Sequence, residues 1–295
     1  MRNTIAVMNT KGGVGKSTLV LAVAETLTAL HGKTVLIIDA DSQASVSSML
    51  MTAASLHKLQ SSGLTVVELL GSAVLQGQPL DWPKVVVGSV SDVDDARTLY
   101  LIPSDMQLTL LEREVSKESQ HAKLRATIAQ LLQAVRPMFD VVLIDCPPGL
   151  SVLTESWLRE ADFHVSPTKP DYVSACGLEV FRRFKQLYPE MGFAENLGVV
   201  INMRDDLSPE DIEYDRWLRQ NPENRCFASA IGRSAALQHA ARFHTIDRSF
   251  QAKYPGDVGQ AVRTLTGELM QRLAASQQAA PPRQAAPAAT ATPSA

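Results

Sequence analysis

From residue 11 the chain reads Lys11-Gly12-Gly13-Val14-Gly15-Lys16-Ser17-Thr18, a glycine-rich turn with a lysine at each end and hydroxyls behind it. Glycine lets the backbone curl so that successive N–H groups point inward, which makes a nest for phosphate oxygens. A helix starting at Lys16 adds its positive N-terminal end. In such a loop Lys16 reaches the β- and γ-phosphates of a nucleotide and the Ser17 hydroxyl takes Mg²⁺. The widespread pattern G-x-x-x-x-G-K-[ST] requires glycine five positions before Gly15, where this chain has Thr10, so the loop is a variant. A glycine turn without a ligand is the alternative, and the order of strand, loop and helix around it speaks against that.

The positioning elements are legible in the hydrophobic pattern. Thr4–Met8, Thr34–Ile38 and Asp140–Ile144 are near-continuous apolar runs, as expected of strands buried on both faces of a parallel sheet. Between the first two, Lys16–Leu30 carries apolar residues at helical spacing, so the first 38 residues form a βαβ unit. Further strands are expected at Phe163–Ser166, Gly198–Asn202 and Phe227–Ile231. Helices are expected at Leu108–Gln133, Ala175–Leu187, Pro209–Gln220, Ala235–Arg242 and Gly256–Leu273. The alternation predicts an α/β fold, a doubly wound, mostly parallel sheet with helices on both faces, as one domain over residues 1–273. Residues 274–295 hold ten Ala and four Pro with Arg283 as the only charge, which predicts a disordered tail.

The motifs carry a resemblance. KGGVGKST with its extra Lys11 resembles the deviant phosphate loop of the ParA/MinD family of partitioning and positioning ATPases, and the ParA branch in particular. Asp39-Ala40-Asp41-Ser42-Gln43-Ala44-Ser45 is similar to that family's D-x-D-P-Q switch, with Ser42 where proline is usual. Gly63-Leu64-Thr65 through Leu70, and Leu101-Ile102-Pro103-Ser104, resemble its connecting segments. Val141 through Gly149 resembles its second acidic motif, and Gly198-Val199-Val200-Ile201-Asn202 its base-reading strand. The resemblance spans residues 1–272.

It implies ATP and Mg²⁺ as ligands, with Gly12, Gly13, Val14, Gly15, Lys16, Ser17 and Thr18 around the phosphates and Asn202 on adenine. Asp39 and Asp145 join Ser17 near the metal, and Asp41 positions the attacking water, since phosphoryl transfer asks mainly for positioning. Lys11 is implied to cross a homodimer interface to the partner's nucleotide. Plainer readings stand beside these: a solvated Lys11, helix-capping Asp39 and Asp41, and a turn-forming Asn202. Cys146 reads as a small buried filler. Ile231-Gly232 stands where the family often has Ile-Pro, so the second base contact stays open.

Charge narrows the partners. With 28 basic and 31 acidic residues the net charge is −3, which excludes a wholesale polycation. Yet residues 216–253 carry seven basic against two acidic groups. Arg204, Arg233, Arg242 and Arg248 are therefore the candidate contacts for nonspecific DNA, each phosphate contact releasing counterion; a merely solvated face is the alternative. No apolar run is long enough to span a bilayer and no basic amphipathic helix ends the chain, so no membrane is expected. Three separated cysteines argue against a disulfide framework or metal cluster within one chain. Two functions remain open: a cytoplasmic, nucleoid-associated ATPase that positions a cargo and is stimulated by a ParB-like or cargo-adaptor protein, or a nucleotide-switched regulator of a protein partner without DNA.

Overall fold

The computed structural model describes residues 2–279. In chain order the elements are β1 (Thr4–Val7), α1 (Lys16–His31), β2 (Val35–Asp39), α2 (Ser45–Leu50), α3 (Ala53–Ser61), α4 (Val66–Gln76), β3 (Val87–Gly88), β4 (Leu99–Ile102), α5 (Leu108–Val115), α6 (Glu118–Val135) and β5 (Val141–Asp145). There follow α7 (Val152–Glu160), β6 (Phe163–Thr168), α8 (Tyr172–Leu187), β7 (Glu195–Arg204), α9 (Pro209–Gln220), β8 (Ala230–Gly232), α10 (Ala235–Ala240), α11 (Phe250–Lys253) and α12 (Gly256–Ala279). The eight strands form one sheet in the order β3-β4-β2-β5-β1-β6-β7-β8. Every pairing is parallel except β3 with β4.

Side chains alternate across a strand, so each central strand feeds two cores. Ile5, Val7, Ile37 and Leu143 pack on one face with α1, α2 and α12. Ala6, Leu36, Ile38, Val142 and Ile144 pack on the other with α4, α6 and α7. These strands are buried on both faces, which is why they read as unbroken apolar runs. The doubly wound, mostly parallel architecture expected from the sequence is the one observed.

Several details differ from expectation, among them the strand expected at Phe227–Ile231, which is only Ala230–Gly232, and the unexpected β3, α7 and α11. Leu108–Gln133 is two helices, because the Ser116 hydroxyl bonds back to the Glu112 carbonyl and Lys117 turns extended as the cap of α6. The four-residue β4, lying before Pro103, and the short helices α2 to α4 were too brief to show a period. The last helix passes Leu273 to Ala279, because Ser276 and Gln277 dock on Glu195 and the Arg2 carbonyl. The rest of the expected tail lies outside the described residues.

Ile144 is fully buried one residue before Asp145. Ile144→Ala is expected to cost about 2–5 kcal/mol of unfolding free energy, measured by urea denaturation; a loss below about 1 kcal/mol would contradict the packing described.

Candidate functional site

The C-terminal ends of β1, β2 and β5 meet at the phosphate loop. Asn9 anchors the loop's start: its Nδ2 donates to the Pro167 carbonyl (2.7 Å) and Thr168 Oγ1 (2.9 Å), and its Oδ1 accepts from the Lys11 N–H (2.8 Å). Asn202 holds the other end, its Nδ2 donating to the Val14 carbonyl at 2.7 Å. Gly15 caps α1 with φ of +84°, and a Cβ there would lie 2.5 Å from Asn202 Nδ2. Only glycine fits that crossing. Asn202 is thus a support of the loop, and its buried Oδ1 has no hydrogen-bond partner. That spare acceptor matches the amino group of a base.

Behind the loop lies a concentration of buried acid. β2 and β5 pair in register with Asp39 opposite Asp145, both fully buried. Asp39 is partly satisfied: Oδ2 accepts from the Ser47 hydroxyl (2.6 Å) and N–H (2.9 Å), and Oδ1 from the Asp41 N–H (3.2 Å). It thereby fastens the first turn of α2 to the end of β2, although the N-cap of that helix is Ala44. Burial still raises its carboxyl to about 6, against the lowering effect of those hydrogen bonds. Asp145 has no hydrogen-bond partner at either oxygen. Burial first, and then the facing Asp39, push its carboxyl well above the usual range, opposed by the Ser17 hydroxyl and the Lys16 ammonium. Two carboxylates in need of positive charge beside a serine hydroxyl could hold a divalent cation of the Mg²⁺ type, which takes one or two carboxylates and completes its shell with phosphates and water. Among the described residues no three acids, histidines or cysteines converge as a self-sufficient cage. Cys146, next in line, is buried with its thiol pushed well up by burial.

Asp41 accepts from the Gln43 N–H (2.9 Å), which fixes the turn leading to α2. Lys11 is half-exposed at the loop's mouth and bonds within its own chain to Asp171 (3.3 Å) and Ser174 Oγ (3.3 Å) at the start of α8. Asp171, Ser47 and Asn9 went unnoticed in the sequence. The Asp171-x-x-Ser174 cap was there to be read, whereas Ser47 meets Asp39 only through tertiary folding.

The arginines expected at DNA divide. Arg248 is committed to buried Asp92 (3.0 Å), and Arg204 pairs with Asp206 and Asp215 (3.2 and 3.3 Å). Both are drawn into ion pairs within the chain, which compete with the phosphate contacts expected of them. Arg233 and Arg242 are exposed and, among the described residues, form no ion pair. No helix among the described residues is long and apolar enough to cross a membrane.

Fold and site together define a phosphate-loop nucleotide protein of the deviant class. A family model described as an AAA domain matches residues 2–194. The chain is 30% identical to the chromosome-partitioning ATPase Soj of Thermus thermophilus, over 91% of this chain and 96% of that protein. It is 27% identical to Soj of Treponema pallidum, over 92% and 98%. Among solved structures, cobyrinic acid a,c-diamide synthase from Mycobacterium smegmatis with a bound ATP analogue and magnesium superposes with a TM-score of 0.73 at 22% identity. That match covers 94% of this chain and 97% of that one. The structural likeness establishes the shared fold. The chain belongs to the ParA/MinD family.

Gly15→Ala is expected to abolish nucleotide binding in a fluorescent-nucleotide titration, because its Cβ would collide with Asn202 Nδ2 at a positive φ. Binding within about three-fold of the wild type would contradict the crossing at Asn202. The raised Asp145 carboxyl means that the folded state holds a proton the unfolded chain has released. Stability of the ligand-free protein therefore falls as pH rises from the ordinary carboxylate range through the folded value. Asp145→Asn removes that penalty: at pH 8 the ligand-free variant is expected to melt about 2–4 °C or more above the wild type, with the difference fading near pH 4. A variant that melts lower at pH 8 would contradict the unpartnered carboxylate.

Proposed function

We propose that this protein is a Mg²⁺-dependent ATPase that pairs as an ATP-bound homodimer, binds DNA nonspecifically in that state and positions a cargo, with hydrolysis stimulated by a partner protein. The observation that carries the reading is the buried Asp39–Asp145 pair, Asp145 without a hydrogen-bond partner, directly behind a phosphate loop armed with Lys11 and Lys16. Similarity to the chromosome-partitioning ATPases named Soj supports the cargo.

In this reading the N–H groups of residues 12–18 and Lys16 hold the phosphates, and Asn202 offers Oδ1 to the adenine amino group. Ser17, with Asp39 and Asp145 behind it, holds Mg²⁺. Bound there, Mg²⁺ neutralises charge on the β- and γ-phosphates. Asp41 orients water against the γ-phosphate. Lys11 releases Asp171 to reach the partner's nucleotide, so pairing and the loss of that internal bond go together. Arg233 and Arg242, on either side of α10, supply DNA contacts that pairing doubles. Exposed Tyr172, Val173, Val180 and Leu187 on α8 offer apolar area to a protein partner.

Binding to a nonspecific duplex with ATP or ADP at two salt concentrations tests the reading. ATP-dependent, salt-sensitive binding is expected, retained by Asp41→Ala and lost by Lys16→Ala. Arg233→Glu with Arg242→Glu is expected to lower affinity at least about ten-fold. An ATP-bound dimer that ignores DNA at low salt would remove the DNA role and leave a nucleotide-switched regulator of a protein partner.

A further inference from the structure

A second concentration of charge lies away from the phosphate loop. Glu25 in the middle of α1, Asp92 between β3 and β4, and Lys253 at the end of α11 are all buried. Lys253 Nζ donates to Glu25 Oε1 (2.6 Å) and Asp92 Oδ1 (2.5 Å). Glu25 also accepts from the Tyr254 hydroxyl (2.6 Å) and the Ser91 hydroxyl (2.6 Å). The second oxygen of Asp92 accepts from Arg248 Nε (3.1 Å) and the His244 N–H (2.9 Å). Arg248 then turns Nη2 to the carbonyl of Arg242 (2.9 Å). Two backbone bonds follow the same path, Arg248 N–H to the Asp92 carbonyl (2.9 Å) and Asp94 N–H to the Arg248 carbonyl (3.0 Å).

A buried ionic network is a poor way to gain stability, because well-packed apolar residues commonly serve as well. What it does supply is one defined arrangement. Here the segment arranged is 241–249, which contains no helix or strand and exposes Arg242, His244 and Ile246. Apart from the network, the segment is held by the Arg97–Asp247 ion pair (2.5 Å) and by the Arg242 N–H on the His239 carbonyl (3.1 Å).

We infer that the Asp92–Arg248 pair, anchored through Lys253 to Glu25 of α1, is a positioning device that holds the 242–248 segment as a docking surface for a nucleic-acid backbone, with Arg242 as its contact. Asp92 and Arg248 act through Arg242 and touch no ligand themselves. This rests on the DNA-binding reading above. It also ties the segment to α1, the helix whose first residues are Lys16 and Ser17.

Position and charge predict opposite outcomes. Arg248→Lys keeps the charge but replaces the planar fork, whose Nε and Nη2 serve Asp92 and the Arg242 carbonyl separately, with a single flexible ammonium. Asp92→Asn removes a negative charge, which through long-range electrostatics alone would tighten binding to a polyanion.

The experiment is binding of the full-length chain to a nonspecific duplex with ATP and Mg²⁺, together with hydrogen exchange over residues 242–248. Arg248→Lys is expected to lose about five-fold in affinity and to exchange faster at those amides, the His244 N–H included. Asp92→Asn is expected to bind more weakly despite its lost negative charge. Arg248→Lys binding and exchanging like the wild type, or Asp92→Asn binding more tightly, would overturn the proposal. If Asp92→Asn does not fold, the charge-conserving Arg248→Lys decides alone. A wild type without ATP-dependent affinity overturns the DNA reading and this surface with it, whereas a binding wild type matched by Arg248→Lys overturns the positioning role only.

Discussion

The register of β2 against β5 is the constraint on which the site depends. Parallel pairing puts Asp39 opposite Asp145 at the buried C-terminal ends of β2 and β5, strands about 4.8 Å apart. Two like charges at such separations repel by on the order of 3 kcal/mol at an effective dielectric of ~20. The Ser47 and Asp41 hydrogen bonds offset part of this for Asp39, at roughly 1.5–3 kcal/mol for each bond to a charged group. Asp145 has only the nearby Ser17 hydroxyl and Lys16 ammonium to oppose its burial. The chain therefore folds with a deficit of positive charge directly behind the loop most suited to phosphate.

The rest of the site converges on that deficit. Lys16 is buried with its own helix dipole behind it, and Gly15 lets the backbone pass Asn202 at a distance no Cβ would permit. Asn9 and Asn202 clamp the loop from β1 and β7, so its shape is set by the sheet. A loop preorganised in this way need not be ordered by its ligand.

The two central βαβ strands and the loop between them were legible because a doubly buried strand has one pattern and a phosphate nest has few sequence solutions. The short elements α2 to α4 and β4 were not, since four to eleven residues held by tertiary contacts leave little period to detect. Arg248 shows the same limit for charge. Its place in a basic stretch suggested an outward role, yet its partner Asp92 lies more than a hundred residues earlier and no local pattern joins them. Arg233 and Arg242, lacking such partners among the described residues, keep the exposure that composition implied. The family resemblance pointed to the carboxylates; their unequal satisfaction is a property of the packed sheet.

The most direct test of this picture is calorimetry of Mg²⁺–nucleotide binding near pH 6 in buffers of different ionisation enthalpy. Carboxyls held above their usual range retain protons that a divalent cation must displace. Net proton release near pH 6, reduced in Asp145→Asn, is the predicted result. Identical heats in every buffer at pH 6 would show that the buried pair is already ionised, and would contradict it.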